Sequence, residues 1–169
     1  MTLEAAVTGG DVDAVLIASS TDTHGDWIER CAAAGKAVFC EKPLDLDIER
    51  ATSCLRVAQR AGIPLYLGFN RRYDPSFMRL KEEIKAGTIG QLETLHITSR
   101  DPAPPPVDYI KRSGGLFRDM MIHDLDMGRW LLGEEPTTVY ARGSALVDPA
   151  IGAAGAVDTA VVRLGAGGG

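Results

Sequence analysis

Three short, almost continuously apolar runs set the first constraint on this chain: Ala14-Val15-Leu16-Ile17-Ala18, Ala37-Val38-Phe39-Cys40 and Pro64-Leu65-Tyr66-Leu67-Gly68. Runs of this length and composition read as strands buried on both faces. Between them lie two stretches with helix signals. One runs from about Thr23 to Ala34, with Asp22 or Thr23 to cap it and Gly35 beyond its end. The other runs from about Asp47 to Ala61, with Asp45 or Asp47 to cap it and Gly62 beyond. The order strand, helix, strand, helix, strand calls for right-handed parallel crossovers. The expected class is α/β, with half of a doubly wound parallel sheet. Ligands of such sheets bind beyond the carboxyl ends of the strands, so Ser19 to His24, Glu41 to Pro43 and Asn70 to Arg72 are expected along one edge.

The pattern changes after Arg72, which places one domain at 1–72 and a second at 73–169. Pro75 to Ala86 reads as a helix ending at Gly87, and Gln91 to Ser99 as a half-exposed strand. The proline-rich loop Asp101 to Gly115 opens onto a helix from about Leu116 to Leu132. Val139 to Leu146 and Val157 to Leu164 read as two further strands, so this half is an α+β arrangement with an open, largely antiparallel sheet.

Composition removes several function classes. The net charge is -5 and no basic run reaches five residues, which argues against a nucleic-acid surface. No apolar run approaches the roughly 20 residues of a membrane span, and MTLEAAVTGG lacks the regions of a signal peptide. The chain therefore reads as cytoplasmic, with no membrane partner. Cys31, Cys40 and Cys54 are odd in number without CxxC spacing, and the histidines lack HxxH or HExxH spacing, so neither a disulfide framework nor a metal site is expected.

Chemistry concentrates at a few positions. Lys42 directly follows a buried strand in Cys40-Glu41-Lys42-Pro43, where an ammonium can stabilise a developing alkoxide; an ordinary turn with a solvated Glu-Lys pair fits the same residues. Asp119 and His123 stand four apart on the expected helix, with Asp126 and Trp130 continuing their stripe. An imidazole beside a carboxylate suits a general base, and a solvated polar face is the plain alternative. On that wheel Asp124 falls in the apolar arc and Ile122 in the polar one. His24, at a helix start, is positioned to cap the helix or meet an anion. No GxSxG elbow, Walker loop or GxGxxG after a strand occurs.

Three segments in order, VDAVLIASSTDTHGDWIERCAAAGKAVFCEKPLDLD, GFNRRYDP and SGGLFRDMMIHDLDMGRWLLG, resemble the Gfo/Idh/MocA oxidoreductases. The resemblance covers nearly the whole chain and implies a partial Rossmann domain joined to part of a substrate domain. It further implies NAD-dependent hydride transfer, with NADP as the alternative cofactor, from a cyclic polyol such as myo-inositol. Its variants are another sugar or polyol dehydrogenase, a noncatalytic sugar-sensing member and an inactive fragment. By the EKP motif Lys42 resembles the catalytic lysine, and by the DxxxH motif Asp119 and His123 resemble the catalytic acid and histidine. The resemblance assigns cofactor contacts to Ser20, His24, Glu41, Lys42, Asn70 and Arg71. Substrate contacts fall to Lys42, Arg71, Asp119, His123 and Asp126. Relatives begin with a strand and a glycine fingerprint and continue a wide sheet used in subunit pairing. The expectation is therefore a chain truncated at both ends, weak in NAD binding alone, from a protein that is a homo-oligomer at full length.

Overall fold

Apolar runs of four residues form strands here because each meets a parallel neighbour. The computed structural model describes residues 3–167, in two compact units, Met1–Gly68 and Phe69–Gly169. The first unit runs α1 (Leu3–Thr8), β1 (Ala14–Ile17), α2 (His24–Ala33), β2 (Ala37–Cys40), α3 (Ile48–Ala61) and β3 (Leu65–Leu67). The strands are parallel in the order β1-β2-β3, with Ile17 opposite Cys40 and Cys40 opposite Leu67. This is the parallel β-α-β-α-β half of a doubly wound sheet expected from the sequence; α1 is an addition to it.

Local chemistry sets the helix ends. The Asp47 carboxylate accepts from the Arg50 amide at 2.8 Å and starts α3, and Gly62, at φ 68°, stops it. α2 departs from expectation. A 3₁₀ turn, Thr21–Thr23, precedes it, and Thr23 makes no side-chain capping bond because its hydroxyl donates back to the Ser20 carbonyl at 2.7 Å.

Ile17, Val38 and Cys40 share one face of the sheet, and Val7, Ile28, Cys31, Leu44 and Cys54 pack with them into the core. Burial, followed by the charge of Glu41, pushes the Cys40 thiol up to about 12, so this sulfur behaves as a small apolar side chain. The opposite face was expected to be buried and is not: Leu16, Phe39 and Tyr66, cross-strand neighbours, are 68%, 41% and 63% exposed. Val7 of α1, Ile28 and Cys31 of α2 and Cys54 of α3 join the cluster on the Ile17 face, which leaves the alternating side chains uncovered.

In the second unit a 3₁₀ turn, Asn70–Tyr73, leads into α4 (Pro75–Ala86). Asp74 caps α4 by accepting from the Ser76 amide at 2.8 Å, and Gly87, at φ 70°, ends it. The expected strand at Gln91–Ser99 is absent. A pleated segment needs a ladder partner, and among the described residues β4 (Pro136–Ser144) and β5 (Thr159–Ala166) pair only with each other, antiparallel, with Tyr140 opposite Arg163. α5 (Val107–Ser113) occupies part of the expected proline-rich loop, and α7 (Pro149–Ala153) lies between β4 and β5.

The helix expected over Leu116–Leu132 is two pieces. Gly114 and Gly115, at φ 88° and 66°, turn the chain into a π-helical turn, Leu116–Met120, closed by the Met121 amide donating to the Leu116 carbonyl at 2.8 Å. Regular α6 (Ile122–Leu132) follows.

Asp158 organises the loop between β4 and β5. Its carboxylate accepts from the amides of Asp148, Leu146 and Val147 at 3.0, 2.8 and 2.9 Å, and these bonds, the Asp148 one foremost, draw its pKa down to about 2. A depressed carboxylate contributes stability that is present above its ordinary value of 3.8 and is lost as pH falls through about 2. In a carbon-detected NMR titration Asp158 is therefore expected to protonate near pH 2, with the amides of residues 146–148 shifting in step. A midpoint at the ordinary value would contradict this geometry.

No helix among the described residues is long and apolar enough to cross a membrane. Among the same residues no group of three His, Cys, Asp or Glu side chains is placed to hold a metal ion.

Candidate active site

In the first unit, β1 and β2 end side by side, so the loops that leave them share the carboxyl edge of the sheet. Ser20 is exposed on the loop after β1, where the hydroxyls of Ser19 and Thr23 meet at 2.6 Å. After β2, the Glu41 amide continues the ladder by donating to the Ile17 carbonyl at 2.9 Å. The Lys42 amide lies 3.3 Å from the Glu41 carboxylate, and the Lys42–Pro43 peptide is cis. That carboxylate occupies the space above Gly68, where an added Cβ would stand 3.0 Å from its oxygen. A residue with a side chain at position 68 would displace Glu41 from the end of β3.

His24 is the most deeply buried polar residue of this edge, at 1% exposure. Nδ1 lies 2.7 Å from the Pro43 carbonyl oxygen and Nε2 3.1 Å from that of Ser19. Both nitrogens thus face backbone carbonyl oxygens; a neutral ring has a single N–H, and the shorter contact assigns it to Nδ1.

In the second unit, Asp119 sits on the π-helical turn and His123 is the second residue of α6. They are four apart in sequence without sharing one regular helix, so the regular-helix wheel does not describe their relation. Tyr109, on α5, donates its hydroxyl to Asp119 Oδ1 at 3.3 Å. Burial, followed by the nearby Asp119 charge, raises the Tyr109 pKa and keeps its phenol a proton donor. Half-buried His123 meets the edge of Phe69, with ring centroids 6.5 Å apart and planes at 89°.

Asn70 opens the 3₁₀ turn and is exposed. Its neighbour Arg71 donates to Asp124 Oδ1 at 2.5 Å, and the Ser99 hydroxyl reaches the same oxygen at 2.6 Å. Asp126 stands apart from the exposed stripe on which the sequence placed it. It was placed on a polar stripe with Asp119 and His123 as a substrate contact; it is buried at 6% exposure, with Arg72 donating to both carboxylate oxygens at 2.8 and 2.5 Å. The π-helical turn shifts the phase of everything after it, which carries Asp126 inward, where a carboxylate requires a partner. The same shift explains Asp124 in the apolar arc. A charged residue on an apolar arc signals an ion pair, and that misfit was the available clue to the Arg71 and Ser99 contacts. No comparable signal marked Tyr109.

Ser20, His24, Glu41 and Lys42 therefore belong to the first unit, and Asn70, Arg71, Asp119, His123 and Asp126 to the second.

Comparison with known proteins follows the same division. Residues 1–69 match the oxidoreductase family with an NAD-binding Rossmann fold, and residues 77–169 match the GFO/IDH/MocA C-terminal domain. An inositol 2-dehydrogenase of Rhizobium meliloti is 57% identical over 163 residues, 96% of this chain and 49% of that protein. A myo-inositol 2-dehydrogenase of Thermotoga maritima is 55% identical over 154 residues, 91% of this chain and 46% of that protein. Among solved structures, the scyllo-inositol dehydrogenase of Lactobacillus casei with bound NAD(H) and scyllo-inositol superposes with a TM-score of 0.83 at 36% identity, covering 98% of this chain and 51% of that one. The chain spans about half the length of the curated relatives it matches.

Proposed function

The chain belongs to the Gfo/Idh/MocA oxidoreductase family, and on that premise we propose that the protein it builds oxidises a secondary alcohol of a cyclic polyol, myo-inositol first among them, with NAD as cofactor. One observation carries this reading. Glu41-Lys42-Pro43 leaves the carboxyl end of a parallel strand, and Asp119 and His123 flank the junction of a π-helical turn and α6, in a chain more than half identical to two inositol dehydrogenases.

Ser20, Glu41 and Lys42 place a hydroxyl, a carboxylate and an ammonium on the first unit. This donor and acceptor set fits the hydroxyls of a nicotinamide riboside; Asn70 and Arg71 are the candidates from the second unit. No glycine-rich phosphate loop accompanies them in the sequence. The nicotinamide supplies the hydride acceptor for the carbon that is oxidised. The residues of the chain manage the proton and the charge. His123 takes the hydroxyl proton on an imidazole nitrogen as the C–O bond becomes a carbonyl, and the Lys42 ammonium hydrogen-bonds the oxygen while negative charge develops on it. Asp119, held by Tyr109, orients the substrate or the imidazole. The same reading makes the protein a cytoplasmic homo-oligomer.

The test is turnover of a full-length family polypeptide containing this chain, with NAD and a panel of myo-inositol, scyllo-inositol, other cyclitols and aldoses. Reduced cofactor is expected to accumulate fastest with myo-inositol. A preference for an aldose would move the assignment to another branch, and no turnover of any polyol would remove it. Asp119→Asn in that polypeptide is expected to keep the fold by circular dichroism while changing the shape of the pH–rate profile. An unaltered profile would take Asp119 out of the proton-transfer machinery.

A further inference from the structure

We infer that His24 is a positioning residue for Lys42, tying the Pro43 carbonyl to the loop that leaves β1. The inference rests on the reading of Lys42 as the residue that stabilises the substrate oxygen. Lys42 stands between two anchored backbone groups. On one side the Glu41 amide is fixed in the sheet through the Ile17 carbonyl at 2.9 Å; on the other the Pro43 carbonyl is held by His24 Nδ1 at 2.7 Å. With one anchor on each flanking residue, little backbone freedom is left at position 42. Removing the second anchor frees the loop from the point where the sheet ends.

His24 is well placed to act as an anchor because the start of its helix is closely packed. At the next residue, Gly25, an added Cβ would meet Asp45 Oδ2 at 3.0 Å, Arg50 Nε at 3.1 Å and Cys54 Sγ at 3.2 Å, so the first turn of α2 is seated tightly on α3 and the loop before it. The ring is 1% exposed, and its far nitrogen faces the Ser19 carbonyl at 3.1 Å. The imidazole thus spans the two loops at the sheet edge, one carrying Ser20 and the other Glu41 and Lys42. Because both nitrogens face carbonyls, the ring serves the site through those loops and offers neither nitrogen to a bound ligand.

Two near-isosteres separate the contacts. In His24→Asn the side-chain amide nitrogen takes the place of Nδ1 and keeps the donor to Pro43; in His24→Gln the amide reaches the place of Nε2, toward Ser19, and leaves the Pro43 carbonyl without its donor. In the 169-residue chain labelled with ¹⁵N, His24→Asn is expected to leave the Glu41, Lys42 and Leu44 amide resonances near their wild-type positions, and His24→Gln to displace them. In a full-length polypeptide His24→Gln is expected to lower kcat by up to about 100-fold with little change in KM for the polyol, and His24→Asn to restore most of it. Equal perturbation by both variants, or a larger one in His24→Asn, would overturn the clamp. Should either variant unfold, the wild-type chain still decides: slow solvent exchange of the Nδ1 proton supports the bond to Pro43, and fast exchange overturns it. Failure of the underlying reading looks different, since Lys42→Ala would then leave turnover intact while the resonance pattern of the His24 variants stood.

Discussion

Replacing His123 by alanine in a full-length polypeptide that contains this chain is expected to lower kcat for polyol oxidation by about 10²- to 10⁴-fold, the usual contribution of a positioned general base. Lys42→Ala is expected to cost about 10²- to 10³-fold, in line with removal of one donor to a developing oxyanion. Each change should lower turnover far more than it weakens NAD binding, because Lys42 is one of several proposed cofactor contacts and His123 is none of them. The two losses are also expected to be less than additive, since a base without a stabilised alkoxide and a stabilised alkoxide without a base each leave the same step uncatalysed. Stopped-flow turnover, with calorimetry of cofactor binding, checks both points. A variant that keeps turnover while losing cofactor affinity would reassign its residue to cofactor binding.

Arg72→Ala is expected to destabilise the second unit by about 3 kcal/mol in denaturant unfolding. The reason is the asymmetry of the pair. Asp126 is only 6% exposed at its side chain while Arg72 is 37% exposed, so removing the arginine leaves a largely desolvated carboxylate without its partner. The exposure of Arg72 places the figure at the low end of the range for buried pairs. In an Asp126→Asn background the same arginine truncation is expected to cost far less, because a neutral amide is cheaper to leave unpaired. Equal costs in the two backgrounds would show that Arg72 stabilises by packing of its stem alone.

These residues also mark where the sequence was readable. β1, β2 and β3 were legible because a buried parallel strand is a local pattern, and α3 and α4 because Asp47 with Gly62, and Asp74 with Gly87, punctuate the chain at both ends. The family motifs singled out Lys42, Asp119 and His123 as candidates, and gave no sign that Asp126 is paired with Arg72. Long-range pairing was the hidden quantity. Leu16, Phe39 and Tyr66 look as apolar as Ile17, Val38 and Cys40, and only the side on which the helices pack separates them. The Gln91–Ser99 alternation is a strand pattern whose realisation depends on a neighbour that local sequence does not specify. His24 resembled a ligand contact because a helix-start histidine has the same local context whether its ring turns outward or inward between two carbonyls.

The π-helical turn at Leu116–Met120 bears on how this site tolerates evolution and engineering. The angular offset between Asp119 and His123 is set by how many residues the backbone winds between Gly115 and α6, a property no single side chain carries. A substitution scan would report most positions of this turn as permissive. Deleting one residue from it would let ordinary α-helix form, keep every chemically active side chain in the chain and still misalign the acid with the base. Length is thus a constraint on this segment in its own right, beside the identity of Asp119, and homologues are expected to keep its count.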